Sequence, residues 1–224
     1  MPVMALALVF GLFGLLALLL ALSRLAAARA VAAAGHAVLA VLLVGAAVVT
    51  GALATDLARY QPREGDRPIA ELYFEQVGTR RYRATLTRLP GGRMQVFELE
   101  GDAWRVDART LTFGGWVRAI GGRPAYRLDR LVAVEQPADE RASVSSPSGG
   151  FALDARDGFD LWQTSRRSGR WRELVTAGDA QSDELPMTGN SRFELRLDGQ
   201  RIDARPAIDA GADKVAAETA APAP

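Results

Sequence analysis

Two long apolar runs at the start of the chain constrain its fold more than any other feature. Val3 to Leu22 has no charged residue and holds nine leucines, and Ala30 to Ala54 follows after a short turn that carries Arg24 and Arg29. A helix rises about 1.5 Å per residue, so each run is long enough to cross a hydrocarbon core about 30 Å thick. We therefore predict a transmembrane α-hairpin over residues 1–57, with spans at about 3–22 and 30–54.

A buried core helix and a cleaved signal peptide are the two other interpretations of the first run. A core helix that is apolar on every side needs a larger soluble domain than the rest of the chain provides. A signal peptide begins with basic residues, and residues 1–6 contain no Lys or Arg. The second apolar run also follows at once, so cleavage of the first run would still leave a membrane protein.

The arginines around the hairpin predict its orientation. Arg24 and Arg29 lie in or beside the turn, while the amino-terminal tail has no basic side chain. The positive-inside rule therefore places the turn in the cytoplasm, and both termini and the soluble domain in the periplasm. Arg59, Arg63 and Arg67 argue for the opposite orientation, but they precede a large domain, where the rule loses force.

His36 is the only histidine in the chain and the only ionisable residue inside the second run. An ionisable group inside a span is a candidate for proton or ion handling. The alternative is that His36, two turns from Arg29, lies at the level of the lipid headgroups. Neither span contains an acidic residue, which argues against a proton relay.

Small residues recur along both apolar runs. Gly11, Gly14 and Ala17 lie near one stripe of the first helix, and Ala47 and Gly51 form a small-xxx-small pair on the second. Small residues let helices approach closely in lipid, where packing drives association. They can serve the hairpin itself or a homo-oligomer.

Beyond the hairpin, the apolar period changes from that of a helix to that of a strand. Residues 58–67 are polar and predict a linker, residues 68–206 a soluble β-rich domain, and residues 207–224 a disordered tail. Short Gly and Pro turns separate the strands, so we predict a mainly antiparallel β domain, a small barrel or sandwich, with one short helical insertion. Residues 137–150 read as a polar loop. The predicted strands cover residues 69–75, 81–87, 95–100, 104–113, 126–134, 185–187, 193–197 and 202–204.

The helical insertion begins after Asp160, which suits an N-cap, and Gly169 suits its end. The i, i+3, i+4 spacing of Trp171, Leu174 and Val175 predicts a second short helix. Arginine and tryptophan are concentrated here, and next to a membrane such a cluster can dock on anionic headgroups or hold an acidic partner. A solvated helix end is the plainer interpretation. The residues of this cluster are Trp162, Arg166, Arg167, Arg170, Trp171 and Arg172.

This chain lacks the residues that most catalytic sites require. The single histidine lies in an apolar run and there is no cysteine, which excludes Ser-His-Asp, Cys-His and His/Cys zinc sites in the soluble part. Asp102, Asp107 and Asp129 fall in or beside strands, where a carboxylate pair can do acid/base work or hold calcium. The alternative is that each pairs with a neighbouring arginine. We predict no enzyme activity, no cofactor and no metal, and the net charge of +1 predicts no nucleic-acid partner.

Four local motifs accompany the hairpin. They are Gly101-Asp102-x-Trp104-x-x-Asp107-Ala108-Arg109, Tyr126-Arg127-Leu128-Asp129-Arg130-Leu131, Gly158-Phe159-Asp160-Leu161-Trp162 and Leu185-Pro186-Met187. With the hairpin, these motifs resemble a family of two-helix proteobacterial membrane proteins that is commonly labelled cation/multidrug efflux pump or multidrug transporter. The resemblance extends to about Pro206 and implies no catalytic or binding residues. This chain departs from the family in its turn, where Arg24 and Arg29 stand in place of a more basic loop.

Together these observations predict a protein of the bacterial inner membrane whose periplasmic β domain binds or scaffolds another component of the cell envelope. Its partners would be the lipid bilayer and a membrane or envelope protein, or further copies of the chain. The resemblance implies a second hypothesis, an accessory or oligomeric component of a cation/multidrug efflux system. Two helices cannot enclose a substrate path, so transport would require oligomers or a larger partner. An enzyme that acts on envelope lipid or glycan is a third hypothesis.

Overall fold

The computed structural model describes residues 2–63, 65–119, 121–135, 146–154, 158–169 and 173–207. The chain divides into two compact units. The first unit comprises Met1–Gln61, Gly114–Trp116 and Arg156–Thr176, and the second comprises Pro62–Phe113, Val117–Ala155 and Ala177–Pro224.

The first unit is built on two long apolar helices. Helix α1 covers Pro2–Ala26 and helix α2 covers Ala30–Leu57, so the turn between them is only residues 27–29. Ala28 has φ of 55°, a left-handed conformation that reverses the chain within this short turn. Both helices are long and apolar enough to cross a membrane. The structure confirms the predicted helical hairpin, and α1 continues four residues beyond the predicted span.

Small residues lie at the contact between α1 and α2. A Cβ added to Gly14 would lie 2.9 Å from Cγ2 of Val44 and 3.2 Å from its backbone nitrogen. Ala17 and Ala40 are buried in the hairpin. The predicted small residues are therefore used in packing the two helices against each other, since no larger side chain fits at Gly14.

The second unit contains most of a β-sheet that is curled into a half-barrel and mostly antiparallel. The elements after α2 are β1 Gln61–Pro62, β2 Pro68–Gly78, β3 Arg81–Arg88, β4 Arg93–Glu100, β5 Ala103–Phe113, α3 Gly115–Ala119, β6 Ala125–Glu135, β7 Ser146–Ala152, α4 Leu161–Arg167, β8 Val175–Ser182, β9 Leu185–Pro186, β10 Ser191–Asp198 and β11 Arg201–Pro206. Within the described residues the sheet has eleven strands in the order β1-β6-β5-β8-β11-β10-β2-β3-β4, with β7 paired to β6 and β9 paired to β5. Strands β8 and β11 are parallel. The structure confirms the predicted mainly antiparallel β domain with a short helical insertion.

Alternating residues of the strands fill one core on the inner face of this sheet. Leu72 and Phe74 on β2 and Leu86 on β3 are fully buried. The Trp104 ring on β5 lies 5.3 Å from that of Phe74 and 5.0 Å from that of Phe193 on β10, measured between centroids. Aromatic pairs at such separations add about 0.5–1.5 kcal/mol each beyond the burial of their area.

Side chains connect β4, the last strand of the sheet order, to β7 and the residues after it. The rings of Phe97 and Phe151 lie 5.4 Å apart. Arg88 and Gln95 both donate hydrogen bonds to the carbonyl oxygen of Leu153. Arg88 is buried, and desolvation lowers the pKa of its guanidinium. These side-chain contacts join β3 and β4 to β7 and to Leu153, which follows it.

Three segments differ from the sequence-based prediction. The spacing of Trp171, Leu174 and Val175 predicted a helix, but Leu174 lies in a turn and Val175 begins strand β8, while Trp171 lies outside the described residues. The Val175 side chain is buried within strand pairing, so sheet formation overrides the local helical spacing. Strand β7 occupies the end of the predicted 137–150 loop, because pairing with β6 outweighs its Ser, Gly and Pro content. Helix α3 lies between the predicted strands 104–113 and 126–134, where the sequence analysis assigned no helix. The predicted disordered tail lies outside the described residues except at residue 207.

Candidate membrane-surface site

A buried carboxylate lies at the carboxyl-terminal end of α2. Asp56 is 2% exposed. Its Oδ2 atom accepts a hydrogen bond of 2.9 Å from the backbone nitrogen of Leu161, the first residue of α4. First-turn amides have no acceptor within their own helix, and the positive end of the helix dipole favours a negative charge. Asp56 thus joins the last turn of α2 to the first turn of α4.

Sequence reasoning missed Asp56. The only available signal is a carboxylate in the last turn of an otherwise apolar run, which reads as the end of a span. Its partner Leu161 lies 105 residues further along the chain. No periodic pattern connects two positions at such a separation.

Helix α4 carries its own N-cap. Asp160 has an extended backbone, and its Oδ1 atom accepts a 2.9 Å hydrogen bond from the backbone nitrogen of Gln163. The cap predicted from the sequence is therefore confirmed. The helix ends at Arg167, two residues before the predicted stop at Gly169, with Ser168 as its C-cap.

The described part of the predicted arginine and tryptophan cluster lies on α4. The guanidinium carbon of Arg166 lies 4.7 Å from the centroid of the Trp162 ring, a cation–π contact between neighbouring turns of the helix. Arg166 and Arg167 are exposed and Trp162 is half-buried. Phe159, just before the helix, is 39% exposed. The other three predicted members, Arg170, Trp171 and Arg172, lie outside the described residues.

The His36 side chain forms a hydrogen bond within its own helix. Its Nδ1 atom lies 2.7 Å from the carbonyl oxygen of Ala32, one turn earlier in α2. A carbonyl only accepts hydrogen bonds, so Nδ1 carries the hydrogen in this arrangement. The ring is half-buried. This bond satisfies one polar atom of the ring locally.

The carboxylate pair predicted in the β domain consists of Asp107 on β5 and Asp129 on β6. Burial raises the pKa of Asp107, the nearby Arg105 opposes that shift, and the Asp129 carboxylate adds a smaller upward shift. Nε of Arg105 donates a 3.0 Å hydrogen bond to Asp107. Nε of Arg109 lies 3.1 Å from Oδ1 of Asp129. The two carboxylates are near each other, and each is held by an arginine.

Asp102, the third predicted carboxylate, is also paired. It accepts a 2.8 Å hydrogen bond from Arg80, whose guanidinium lies 3.6 Å from Glu135 as well. All three carboxylates are therefore paired with an arginine, which was the alternative to a catalytic or metal-binding role. The partner of Asp102 is Arg80, 22 residues earlier, and not an arginine close to it in the sequence. Within the described residues, no group of three or more His, Cys, Asp or Glu side chains is arranged to hold a metal ion.

A groove of about 300 Å³ lies on the outer face of the β unit. Arg192 on β10 stacks over the ring of Tyr73 on β2, with 5.8 Å between guanidinium and centroid. Met94 on β4 is 64% exposed, and Val96 on the same strand is exposed too. The groove therefore combines aromatic, apolar and charged groups on a solvated surface. Its lining residues are Glu71, Tyr73, Thr85, Thr87, Met94 and Arg192.

Comparison with known proteins gives no assignment. No protein-family model, no curated protein and no solved structure matches this chain.

Proposed function

We propose that this chain is an inner-membrane protein whose α-hairpin anchors a periplasmic β-rich unit, and that this unit binds or scaffolds another component of the cell envelope. One observation supports the proposed membrane anchoring. The two helices contact each other through glycine and alanine, while their large apolar side chains point outward; Leu12 is 67% exposed and Val31 is 90% exposed. That arrangement suits lipid, where tight packing of small residues holds helices together.

Binding suits the β unit better than catalysis does. Asp107 and Asp129, the carboxylates placed best for acid/base work, are each engaged by an arginine. The outer face offers a groove with Met94 at its rim and a stacked Arg192–Tyr73 pair. Aromatic residues, methionine and arginine are enriched at protein–protein interfaces relative to the rest of a protein surface.

Single cysteines test the anchoring and the orientation. The chain has no cysteine, so Thr79→Cys in the β2–β3 turn and Ala27→Cys in the hairpin turn each create a unique thiol. In cells with a permeable outer membrane, we expect an impermeant maleimide to label Thr79→Cys but not Ala27→Cys. Labelling of only Ala27→Cys would reverse the orientation, and recovery of the chain in the aqueous fraction would overturn the anchoring.

Binding to a partner is tested by purification after mild solubilisation. We expect the chain to migrate with a larger membrane complex, and Met94→Arg to weaken that association. Val77→Arg is the matched control, because Val77 is also an exposed apolar residue of the β unit but does not line the groove. A monomer without any partner under these conditions would contradict the scaffolding role.

The resemblance favours a second candidate function, an accessory role in cation or multidrug efflux. The close approach of Gly14 to Val44 leaves no path between the two helices of one chain, so such a role requires other chains. If His36 takes part in transport, His36→Ala changes the drug susceptibility of cells. An unchanged susceptibility profile at equal protein levels would discard a mechanism that depends on His36.

A further inference from the structure

We propose that α4 is a membrane-surface helix that docks on anionic lipid headgroups through Trp162, Arg166 and Arg167. This inference rests on the proposed function, because it requires that α2 crosses a bilayer. It adds a second, reversible contact with the same membrane, made by a segment more than 100 residues after the spans.

The position of α4 follows from its attachment to α2. Asp56 lies just beyond the apolar run that ends at Ala54, so its carboxylate lies near the boundary between hydrocarbon and headgroups. The hydrogen bond from Leu161 fixes the first residue of α4 at that point. A seven-residue helix is about 10 Å long, which is about one Debye length at physiological salt. Every charge on α4 is therefore within electrostatic reach of the lipid surface.

The residues of α4 suit an anionic interface. Arg166 and Arg167 are exposed and supply guanidinium groups that match phosphate geometry. Trp162 presents an amphipathic ring of the kind enriched at headgroup level, and the partly exposed Phe159 adds apolar area beside it. Residues 158–173 contain four arginines against two carboxylates, so the segment is positive overall.

Lipid is favoured over an acidic protein because the hairpin supplies the surface permanently. α4 is bonded to a helix that the bilayer surrounds, so the headgroups are present at high local concentration without a separate binding event. Anionic lipids occur on both sides of a membrane, and the inference therefore holds for either orientation of the β unit.

An environment-sensitive fluorophore on α4 tests the docking. Gln163 is exposed and shares a helix face with Arg166 and Arg167, so Gln163→Cys in the full chain carries the label. The chain is reconstituted into vesicles of phosphatidylcholine alone, or of phosphatidylcholine and phosphatidylglycerol in equal amounts. We expect a blue-shifted emission only with phosphatidylglycerol, and reversal at about 1 M salt, where the Debye length falls to about 3 Å.

Charge variants separate docking by the arginines of α4 from a general effect of removing positive charge. Each arginine near an anionic surface shifts the docked-to-undocked ratio about five-fold, so Arg166→Gln with Arg167→Gln should lower it about 30-fold. The matched control, Arg81→Gln with Arg83→Gln, removes two exposed arginines from β3 and should leave the emission unchanged. Amide hydrogen exchange at Leu161 to Gln163 verifies that α4 is still folded in each variant.

The outcomes distinguish the inference from the function on which it rests. If the chain stays with the vesicles and the emission is the same in both lipids, the docking is wrong and the anchoring stands. If the emission shifts only when a soluble acidic protein is added, α4 is a protein-binding helix and the docking is wrong. If the chain does not remain with either kind of vesicle, the anchoring itself fails.

Discussion

A single carboxylate connects elements that are far apart in the sequence. Asp56 is nearly inaccessible to solvent and accepts a hydrogen bond from Leu161. A buried acceptor of this kind contributes most through the penalty for leaving its donor unsatisfied.

We predict that Asp56→Ala destabilises the attachment of α4 by about 1–3 kcal/mol, because a first-turn amide loses its acceptor. Amide hydrogen exchange should quicken at Leu161 and Gln163 and remain unchanged in β2 and β3. Asp56→Asn keeps an acceptor oxygen and should have a smaller effect. Thr55→Ala is the control, since Thr55 is exposed and its hydroxyl donates to the Gly51 carbonyl within α2. Equal effects of the two alanine variants would contradict the role of Asp56.

Asp107 gives a prediction with a defined sign. Burial raises its pKa above the ordinary value of 3.8, so the folded state binds the proton more tightly than the unfolded state. Its contribution to stability is therefore fully present below pH 3.8 and is lost as pH rises through the raised pKa. Asp107→Asn removes this dependence and leaves Arg105 an acceptor. In chemical denaturation, Asp107→Asn should gain stability relative to the parent as pH rises from 3.8 through the raised pKa of Asp107. A relative loss of stability would show that the pKa of Asp107 is lowered on folding.

At the scale of elements, the hairpin contact depends on one position more than on the others. Glycine at residue 14 permits backbone contact with α2, whereas a Cβ added to Gly45 on α2 would have no neighbouring atom within 4 Å. The two glycines therefore form a matched pair for substitution.

We predict that Gly14→Leu destabilises the hairpin by about 1–3 kcal/mol, because its side chain must displace Val44. Gly45→Leu should change stability little. Thermal unfolding in a mild detergent measures both, and light scattering establishes whether either variant changes the number of chains per particle. Leucine has the higher helix propensity, so propensity favours both variants equally. Equal changes in the two variants would therefore contradict the importance of the close contact at Gly14.

The predictability of the elements followed the strength of their local signals. Local sequence patterns of a few residues predict some elements well. These are α1 and α2, the β-hairpins of β2–β4 and β10–β11, and α4 with its Asp160 cap. Strand β8 lacks such a pattern, because Gly178 and polar residues break its alternation and its place is fixed by pairing with distant strands. A Cβ at Gly178 would lie 2.7 Å from Oγ1 of Thr110, so tertiary contact selects that glycine.

The candidate site was predictable only in its residue types. Trp162 and Arg166 stood out by composition, and their i, i+4 spacing suffices to bring them together once α4 forms. Their relation to α2 depends on Asp56, which no local pattern singles out. Long-range hydrogen bonds of this kind are set by the fold as a whole.

At the scale of the whole molecule, the exposed apolar surface of the helices allows a test of the proposed membrane anchoring. Leu12 lies near the middle of α1 and faces outward. In water, a charge there would be tolerated or would improve solubility; in a bilayer, it costs about 2.5–3.5 kcal/mol.

We therefore predict that Leu12→Arg lowers the fraction of the chain that resists alkaline extraction from membranes. Leu12→Phe, which keeps the position apolar, should leave that fraction unchanged. An unchanged or more soluble and abundant Leu12→Arg variant would contradict the proposed anchoring.

The brevity of the turn between α1 and α2 has a consequence for biogenesis. Residues 27–29 span at most about 10 Å, far less than a bilayer, so a crossing by one helix obliges the other to return. The direction in which the hairpin inserts therefore fixes the side of the membrane on which both flanking segments lie, the one before α1 and the one after α2. Fusion reporters placed before α1 and after β11 must agree in every variant. Exchanging Arg24, in the last turn of α1, and Arg29 for acidic residues would relocate both reporters together.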